Sequence, residues 1–375
     1  MNTDFTQHTV QLPNVRAEIH QFKATDTSKW HIMLHIDNST LPFDEQLQSL
    51  NRSCEDIIST CPEKIQIVIK RYFISDASNQ EAAIEEYERP SSYAVSIIQQ
   101  PPLDNTKIAL WVYATTDTKI KKLDNGLCEV QQNGLRHLWL AQKTAKGQDS
   151  EQQTLRIFDE YTHLLQEEGC SLKDNCIRTW FYVNDVDNQY AGMVKARNHV
   201  FATENLTEQT HFIASTGIGG RQKDSTVWTQ MDAYAIHGIQ PEQIHYLYAA
   251  DHLNRTSEYG VSFERGTYVD YSDHRELFIS GTASINNKGE IVHQGNIRKQ
   301  VLRMWENVEA LLLEGQAQWE NVAQMAIYLR DIGDYPIVSH MFQERFPHKP
   351  KVIVLAPVCR PGWLIEMECI ALKEL

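Results

Sequence analysis

The chain has 375 residues, a length that favours two or three domains, and 42% hydrophobic with 22% charged residues is ordinary for a globular protein. Its formal net charge of −14 argues against a general binder of nucleic acid or of anionic membranes, because such binders need a basic face. The polar start predicts no leader peptide, and the lack of a long apolar run predicts no membrane span. The seven cysteines contain no CxxC pair, which argues against a disulfide framework or a zinc site and favours a cytoplasmic protein.

The first predicted unit, residues 1–117, is built around one strand rich in valine, isoleucine and aromatic residues. This strand lies within 65–80 and ends at Asp76, and such a composition favours β-structure. An amphipathic helix is predicted before it, at 44–59, from apolar residues at helical spacing. A second helix and two further strands complete the unit: 79–88, 93–98 and 107–114.

The second predicted unit, residues 118–240, repeats the same order of elements. An amphipathic helix at 151–169 precedes a strand within 175–190, and this strand again ends at an aspartate, Asp185. A second helix and two further strands complete the unit: 188–202, 211–218 and 226–236.

The third predicted unit, residues 241–375, has the clearest helix signal, at 297–315. One apolar stripe with a spacing of three to four residues runs along this helix: Val301, Trp305, Val308 and Leu312. The strand that follows lies within 321–336 and ends at Asp331. A second helix and two further strands complete the unit: 334–346, 351–358 and 363–372.

The recurring order is one or more strands, helix, strand, helix, strand and strand. We therefore predict an α+β fold of three tandem units, each with a helix layer on one face of a sheet. The alternative is a chance resemblance between ordinary α+β segments.

The last strand carries two carboxylates, Glu366 and Glu368. Because side chains alternate across a strand, both point to one face, while Ile365 and Met367 point to the other. Acidic residues are rare in strands and cost free energy when they are buried without a partner. This face is either part of a cleft or open to solvent.

Motifs of the third unit resemble the RidA/YjgF superfamily, formerly called endoribonuclease L-PSP. SGTASI at 280–285, the LRD end of the strand at 329–331 and LIEME at 364–368 occur in the order typical of that superfamily. The resemblance implies a small unit of one sheet and two helices that assembles as trimers with ligand clefts between subunits. Three such units imply a RidA-like internal pseudo-trimer, which is a monomer or a weak oligomer.

A longer resemblance, over roughly residues 170–375, is to the chorismatase branch. It is carried by SGTASI together with STGIGG at 215–220, FERG at 263–266 and CRPGWLIE at 359–366. Chorismatases hydrolyse chorismate to pyruvate and a cyclic acid. The resemblance therefore implies a hydrolase for chorismate or a related cyclic enol-ether acid, a small-molecule carboxylate, that needs no metal or organic cofactor.

By this match Glu366 is the catalytic residue, a general acid/base. A partly buried carboxyl in a cleft has its pKa raised toward a useful range. The matching positions of the first and second units hold Ala109 and Gln230, which cannot transfer a proton as a carboxyl does. The resemblance thus implies one active cleft. The alternative is a strand glutamate that faces solvent.

Basic residues near the landmarks are candidates for binding the substrate carboxylates, and Arg360 has the best position in the sequence. The glycine-rich turn STGIGG offers backbone N–H groups at close approach, and one aromatic residue is a candidate for stacking on a cyclic substrate. The alternatives are surface ion pairs, a plain tight turn and core packing. The predicted substrate-binding residues are Arg178, Arg221, Arg265, Arg360, Lys351, Thr216, Gly217 and Tyr182.

Two other functions stay open. The imine deaminases of the superfamily hold the substrate carboxylate with an arginine fifteen residues before the glutamate; Lys351 stands there and lacks the planar fork. This departure argues against a deaminase. The other possible function is a non-catalytic binding or interaction module in which Glu366 is a relic. The net charge of −14 disfavours RNA as the partner of such a module.

Overall fold

The structure is a computed structural model that describes residues 5–25, 27–116 and 118–375. Within these ranges the chain forms three six-stranded sheets, one in each successive part of the sequence. The predicted boundary after residue 117 and the first four residues of the polar start lie outside the described residues. The predicted boundary after residue 240 falls in the connection between the second and third sheets.

Each sheet with its helices is one unit. The first unit contains β1 (Phe5–Leu12), β2 (Val15–Lys23), β3 (Ser28–Ile36), α1 (Phe43–Thr60), β4 (Gln66–Ile74), α2 (Ala77–Glu88), β5 (Ala94–Gln99) and β6 (Ile108–Thr115). The second contains β7 (Lys119–Lys122), β8 (Cys128–Gln132), β9 (Leu135–Lys143), α3 (Ser150–Glu167), α4 (Leu172–Asn175), β10 (Cys176–Val183), α5 (Val186–Thr203), β11 (Ala214–Gly219) and β12 (Thr229–His237). The third contains β13 (Ile244–Leu247), β14 (Gly266–Asp270), β15 (His274–Ala283), α6 (Ile297–Glu314), β16 (Val322–Leu329), α7 (Tyr335–Arg345), β17 (Lys351–Leu355) and β18 (Ile365–Glu374).

The three sheets share one topology. Their strand orders are β1-β2-β3-β6-β4-β5, β7-β8-β9-β12-β10-β11 and β13-β14-β15-β18-β16-β17. In each sheet the last two strands of this order are parallel and the other neighbours are antiparallel. The predicted α+β class with three repeated units is confirmed, and each repeat also includes a meander of three strands before its first long helix.

The recurring aspartates at the strand ends stabilise the turn into the next helix. Asp76 accepts a hydrogen bond from the Ser78 backbone N–H at the start of α2, and Asp331 does the same for Gly333 at 2.8 Å. Asp185 is the N-cap of α5, in left-handed conformation with φ 52°. The carboxylates of Asp76 and Asp331 thus satisfy backbone donors that the helix start leaves open, whereas the Asp185 carboxylate accepts from the Asn188 side chain.

The three units share a hydrophobic core. It includes Trp111 from the first unit, Trp180 from the second and Tyr328 from the third. Surfaces that would be subunit interfaces in a trimer of single units therefore lie within this one chain. Among the described residues no helix is long and apolar enough to cross a lipid bilayer.

The structure corrects the prediction for Lys351, which lies between the first and third units and not in a substrate cleft. Its Nζ donates to Glu18 Oε1 at 3.1 Å and to the Phe346 carbonyl at 2.9 Å, and the residue is only 7% exposed. Burial opposes ionisation of Glu18, but the hydrogen bond and charge of His35 outweigh it and lower the Glu18 pKa to about 2. The Lys351 charge is thus neutralised inside the protein.

Glu18→Gln is expected to lower the free energy of unfolding by about 3–5 kcal/mol, because it leaves Lys351 buried without a counter-charge. Urea unfolding at neutral pH measures this loss. The control is Glu63→Gln, which breaks the 3.2 Å pair with the exposed Lys23 and should cost less than about 1 kcal/mol. Equal effects of the two substitutions would refute the role given to Glu18.

Candidate active site

Glu366 lies at the start of β18, in the middle of the third sheet, and is only 5% exposed. Its strand partners are Ala283 on β15 and Tyr328 on β16. The ladder register places Gln230 at the corresponding position of the second unit, opposite Tyr182. In the first unit Ala109 pairs with Phe73 in the same way. The register thus agrees with the sequence alignment in giving a carboxyl at this position to the third unit alone.

The carboxyl faces a cavity between the second and third units, which we call the Glu366 cavity. The second unit contributes Tyr190 and Arg197 from α5 with Thr216 and Gly217 from β11, and the third unit contributes the segment before β14 and the hairpin before β18. The cavity holds about 520 Å³ of space free of protein atoms, including its mouth.

The environment of Glu366 favours its protonated form. Burial and the negative charge of Glu368 raise its pKa to about 8, although Arg265 and Arg178 lower it in part. No described residue donates a hydrogen bond to the Glu366 carboxyl. At neutral pH the group therefore holds a proton that it can donate to a molecule in the cavity.

Glu368 lies on the same face but is fully engaged in hydrogen bonds. Its Oε2 accepts from Arg178 Nη2 at 2.7 Å and from Thr216 Oγ1 at 2.5 Å, and its Oε1 accepts from Trp180 Nε1 at 2.9 Å. The Nη1 atom of Arg71, from the first unit, lies 3.9 Å from Glu368 Oε1. Glu368 is thus a carboxylate paired with Arg178, on the same face of β18 as Glu366.

Glu366 should make the protein less stable as the pH rises. Its pKa is about 8 in the folded state, against an ordinary value of 4.5. Between these values the folded chain binds more protons than the unfolded chain, so the free energy of unfolding falls, by an upper limit of roughly 5 kcal/mol. Urea unfolding at pH 5 and pH 9 should show Glu366→Gln more stable relative to the wild type at pH 9 than at pH 5. Parallel changes in both proteins would contradict this.

Gly281 on β15 leaves room for the Glu366 carboxyl. A Cβ atom at this position would overlap with Glu366 Oε1 and would lie 3.1 Å from Thr216 Cγ2. Close approach of this kind is available to glycine because it lacks a side chain.

Gly281→Ala should therefore displace the carboxyl and lower activity about 10²-fold in a fold that persists, as expected for a shifted catalytic group. Steady-state rates measure the loss of activity, and circular dichroism tests whether the fold persists. The control is Gly333→Ala, where the nearest atom is Asp331 Oδ1 at 3.2 Å, at an exposed position. Activity that matches the control would show that Gly281 does not set the carboxyl position.

Arg197 is a functional candidate that the sequence analysis missed. It belongs to the buried stripe of α5 with Met193 and Phe201, and it is 1% exposed. Its Nη1 lies 3.5 Å from Ser215 Oγ, and its Nε and Nη2 make no hydrogen bond of ordinary geometry among the described residues. Burial lowers the Arg197 pKa, although the Tyr190 hydroxyl is close enough to raise it in part. A buried cation with free donors is costly unless an anion binds to it.

Two predicted arginines line the same cavity. Arg265 donates to the Asn254 carbonyl at 3.1 Å, and the Arg360 guanidinium lies 4.8 Å from the Tyr259 ring and 5.1 Å from the Trp363 ring. In the part of the chain that the structure describes, neither of them, nor Arg197, forms an ion pair. With Glu366 protonated, the cavity presents three cations without a carboxylate partner. Such a charge pattern suits a dianion.

Two more predicted residues, Thr216 and Gly217, lie at the cavity wall. The Thr216 hydroxyl is held by Arg178, by Glu368 and by the Gly281 N–H, which donates to it at 2.9 Å. A Cβ at Gly217 would lie 3.0 Å from the Tyr190 ring, so the absence of a side chain here leaves room for that ring.

Besides Lys351, three predicted substrate-binding residues do not line the cavity: Arg178, Arg221 and Tyr182. Arg178 is buried behind its wall, where it neutralises Glu368. Arg221 donates to Ser78 Oγ at 3.1 Å and joins the second unit to the first. Tyr182 packs in the shared core, with its ring 5.7 Å from the Arg71 guanidinium. The predicted role is wrong for each of them because its polar group or ring already takes part in contacts between units.

Neither a cysteine nor a metal cluster adds to the site. Burial raises the pKa of the Cys359 thiol to about 12, so it is not a thiolate at neutral pH. Among the described residues, no group of three or more His, Cys, Asp and Glu is arranged to hold a metal ion.

Comparisons with known proteins match this unit and this fold. The family model described as "Endoribonuclease L-PSP" matches residues 263–373. A RutC family protein of Pyrococcus abyssi is 36% identical over 101 residues, which are 26% of this chain and 79% of that protein. The 3-aminoacrylate deaminase RutC of Acinetobacter baylyi is 26% identical over 97 residues, 25% of this chain and 77% of that protein.

Over the whole chain the similarity is to a crystal structure of a chorismatase. The TM-score is 0.67 at 16% identity, and the match covers 92% of this chain and 99% of that chain. At this identity the match shows a shared fold, with all three units in the same arrangement.

Proposed function

The chain belongs to the RidA/YjgF superfamily, and from this premise we propose that it is a small-molecule enzyme whose Glu366 cavity hydrolyses chorismate or a related cyclic enol-ether dicarboxylate to pyruvate and a cyclic acid. The observation that carries the proposal is one cavity that combines a buried, protonated carboxyl with three arginines lacking an ion-pair partner among the described residues. The likeness in fold to a chorismatase supports the same reaction.

The protonated Glu366 supplies the acid that an enol ether needs. Glu366 gives its proton to the terminal methylene carbon of the enolpyruvyl group, which creates a cationic centre at the ether carbon. Water adds to that carbon, and the hemiketal collapses to pyruvate and the alcohol of the ring. The carboxylate then regains a proton from the attacking water. No atom is left over, and the chain itself provides the acid and base.

The arginines compensate the two carboxylates of such a substrate. Arg197 offers Nε and Nη2 donors that are unpaired within the described part of the chain, and it approaches from the second unit, while Arg265 and Arg360 approach from the third. Hydrogen bonds between guanidinium and carboxylate are among the strong ones, and they would replace an unsatisfied buried cation with a paired one. Their fixed positions on two units would also hold the enol ether against Glu366.

Imine deamination is the second candidate, because a relative is named a 3-aminoacrylate deaminase. The cation expected for that chemistry, Lys351, is buried against Glu18 and does not line the cavity. Glu366 and the three arginines could still hold a small imine acid. A dicarboxylate uses more of these charges, and we therefore favour the hydrolase.

Pyruvate release from two substrates tests the proposal. The purified protein is incubated with chorismate, or with 2-aminoacrylate generated by enzymatic dehydration of serine, and pyruvate is followed with lactate dehydrogenase. We expect release from chorismate, with one cyclic acid per pyruvate. Acceleration with 2-aminoacrylate alone would instead identify a deaminase. Chorismate that binds without turnover would identify a binding module.

A further inference from the structure

A second cavity adjoins the Glu366 cavity on the side of the third unit. It lies between the segment after β13 and the segment before β14, and we call it the Arg255 cavity. Phe263 and Arg265 line both cavities, so the two cavities meet at these side chains. The Arg255 cavity holds about 440 Å³ free of protein atoms, including its mouth.

The lining of the Arg255 cavity combines one exposed and one buried arginine with two glutamates. Arg255 is exposed, stacks on the Tyr248 ring at 4.5 Å and forms no ion pair among the described residues. Two glutamates also line the cavity. Glu264 accepts a hydrogen bond from the Phe212 N–H at 2.8 Å, and burial raises its pKa, while the exposed Glu258 faces the mouth.

The net charge of the whole protein favours a route for anions that passes local cations. A chain of formal charge −14 repels a dianion at most of its surface, whereas local cations lower the barrier along one path. Arg255 is the exposed cation of this cavity, and the buried Arg265 continues the path inward.

We propose that the Arg255 cavity is the entrance through which small carboxylates reach the Glu366 cavity, with Arg255 as the first cation they meet. The inference rests on the proposed function in one respect, that the inner cavity binds a dicarboxylate. Arg255 does not line the inner cavity, so it acts on the passage of the anion and not on its bound state. The Glu258 carboxylate, which lines the same cavity, repels the anion and so opposes the effect of Arg255.

Association kinetics of an unreactive dicarboxylate test the entrance. Isophthalate binding to the full chain is followed by stopped-flow tryptophan fluorescence, since Trp363 lines the inner cavity. We expect Arg255→Gln to lower the association and dissociation rate constants together about three- to tenfold, with Kd nearly unchanged. Glu258→Gln should raise both rate constants, and the differences should shrink at high salt. Arg298→Gln, at an exposed helix position outside both cavities, is the control with the same change of charge.

The outcomes separate the entrance from the proposed function. Rates in Arg255→Gln that match Arg298→Gln would overturn the entrance. A faster dissociation with unchanged association would also overturn it, because Arg255 would then belong to the bound site. A wild type that does not bind isophthalate would overturn it as well. Binding with the expected kinetics in a protein that leaves chorismate intact would keep the entrance and refute the hydrolase.

Discussion

Glu366→Gln is expected to lower the rate of pyruvate release from chorismate by about 10²–10⁴-fold, the range that general acids contribute. The amide has the shape of the protonated carboxyl, so it fits beside Gly281, but it has no proton acidic enough to transfer to carbon. The substitution should leave the affinity for chorismate within a few-fold of the wild type. Initial rates and equilibrium binding of chorismate measure the two effects.

The control for this substitution is Glu344→Gln, which removes a carboxyl from the exposed face of α7. It should change neither rate nor affinity. A Glu366→Gln protein that keeps more than about a tenth of the wild-type rate would exclude Glu366 as the proton donor. Loss of activity through unfolding is recognised by urea titration, in which the variant should be at least as stable as the wild type at pH 9.

Arg197→Met is expected to act in opposite directions on activity and stability. Loss of one buried guanidinium–carboxylate contact should lower kcat/KM about 10²–10³-fold, which corresponds to roughly 3–4 kcal/mol. The same change removes a buried cation whose Nε and Nη2 have no hydrogen-bond partner among the described residues, and so it should raise the free energy of unfolding by about 1 kcal/mol or more.

Arg52→Met, at an exposed position of α1, is the control and should leave both quantities nearly unchanged. A structural role for Arg197 would give the reverse pattern, with lower stability and little change in kcat/KM. A gain in stability together with full activity would show that the cavity does not use this cation for its substrate.

The repeated topology could be predicted because it is encoded locally in each unit. The apolar stripe of α6 and the strand that ends at Asp331 recur with the same order in the other units, and each such pattern depends on neighbours in sequence. The position of Glu366 was likewise predictable, because strand alternation puts it and Glu368 on one face. Backbone capping explains the aspartates of the first and third units, Asp76 and Asp331, while Asp185 of the second unit instead accepts from the Asn188 side chain.

The partners of charged residues could not be predicted, because they depend on how the units pack. Lys351 pairs with Glu18 across 333 residues of sequence, and Arg178 with Glu368 across 190. No local pattern in the sequence reports such pairs. Arg197 does have a local signal, because it is an arginine on the buried stripe of α5, between Met193 and Phe201.

The most direct test of the account is the pH dependence of pyruvate release from chorismate, measured from pH 6 to pH 10 with Glu366→Gln beside the wild type. We predict activity in the wild type that falls as the pH rises through about 8, where Glu366 loses its proton, and near absence of activity in the variant at every pH. Equal pyruvate release by the two proteins, or none by the wild type at any pH, would contradict the assignment of Glu366 as the acid of a chorismate-type hydrolase.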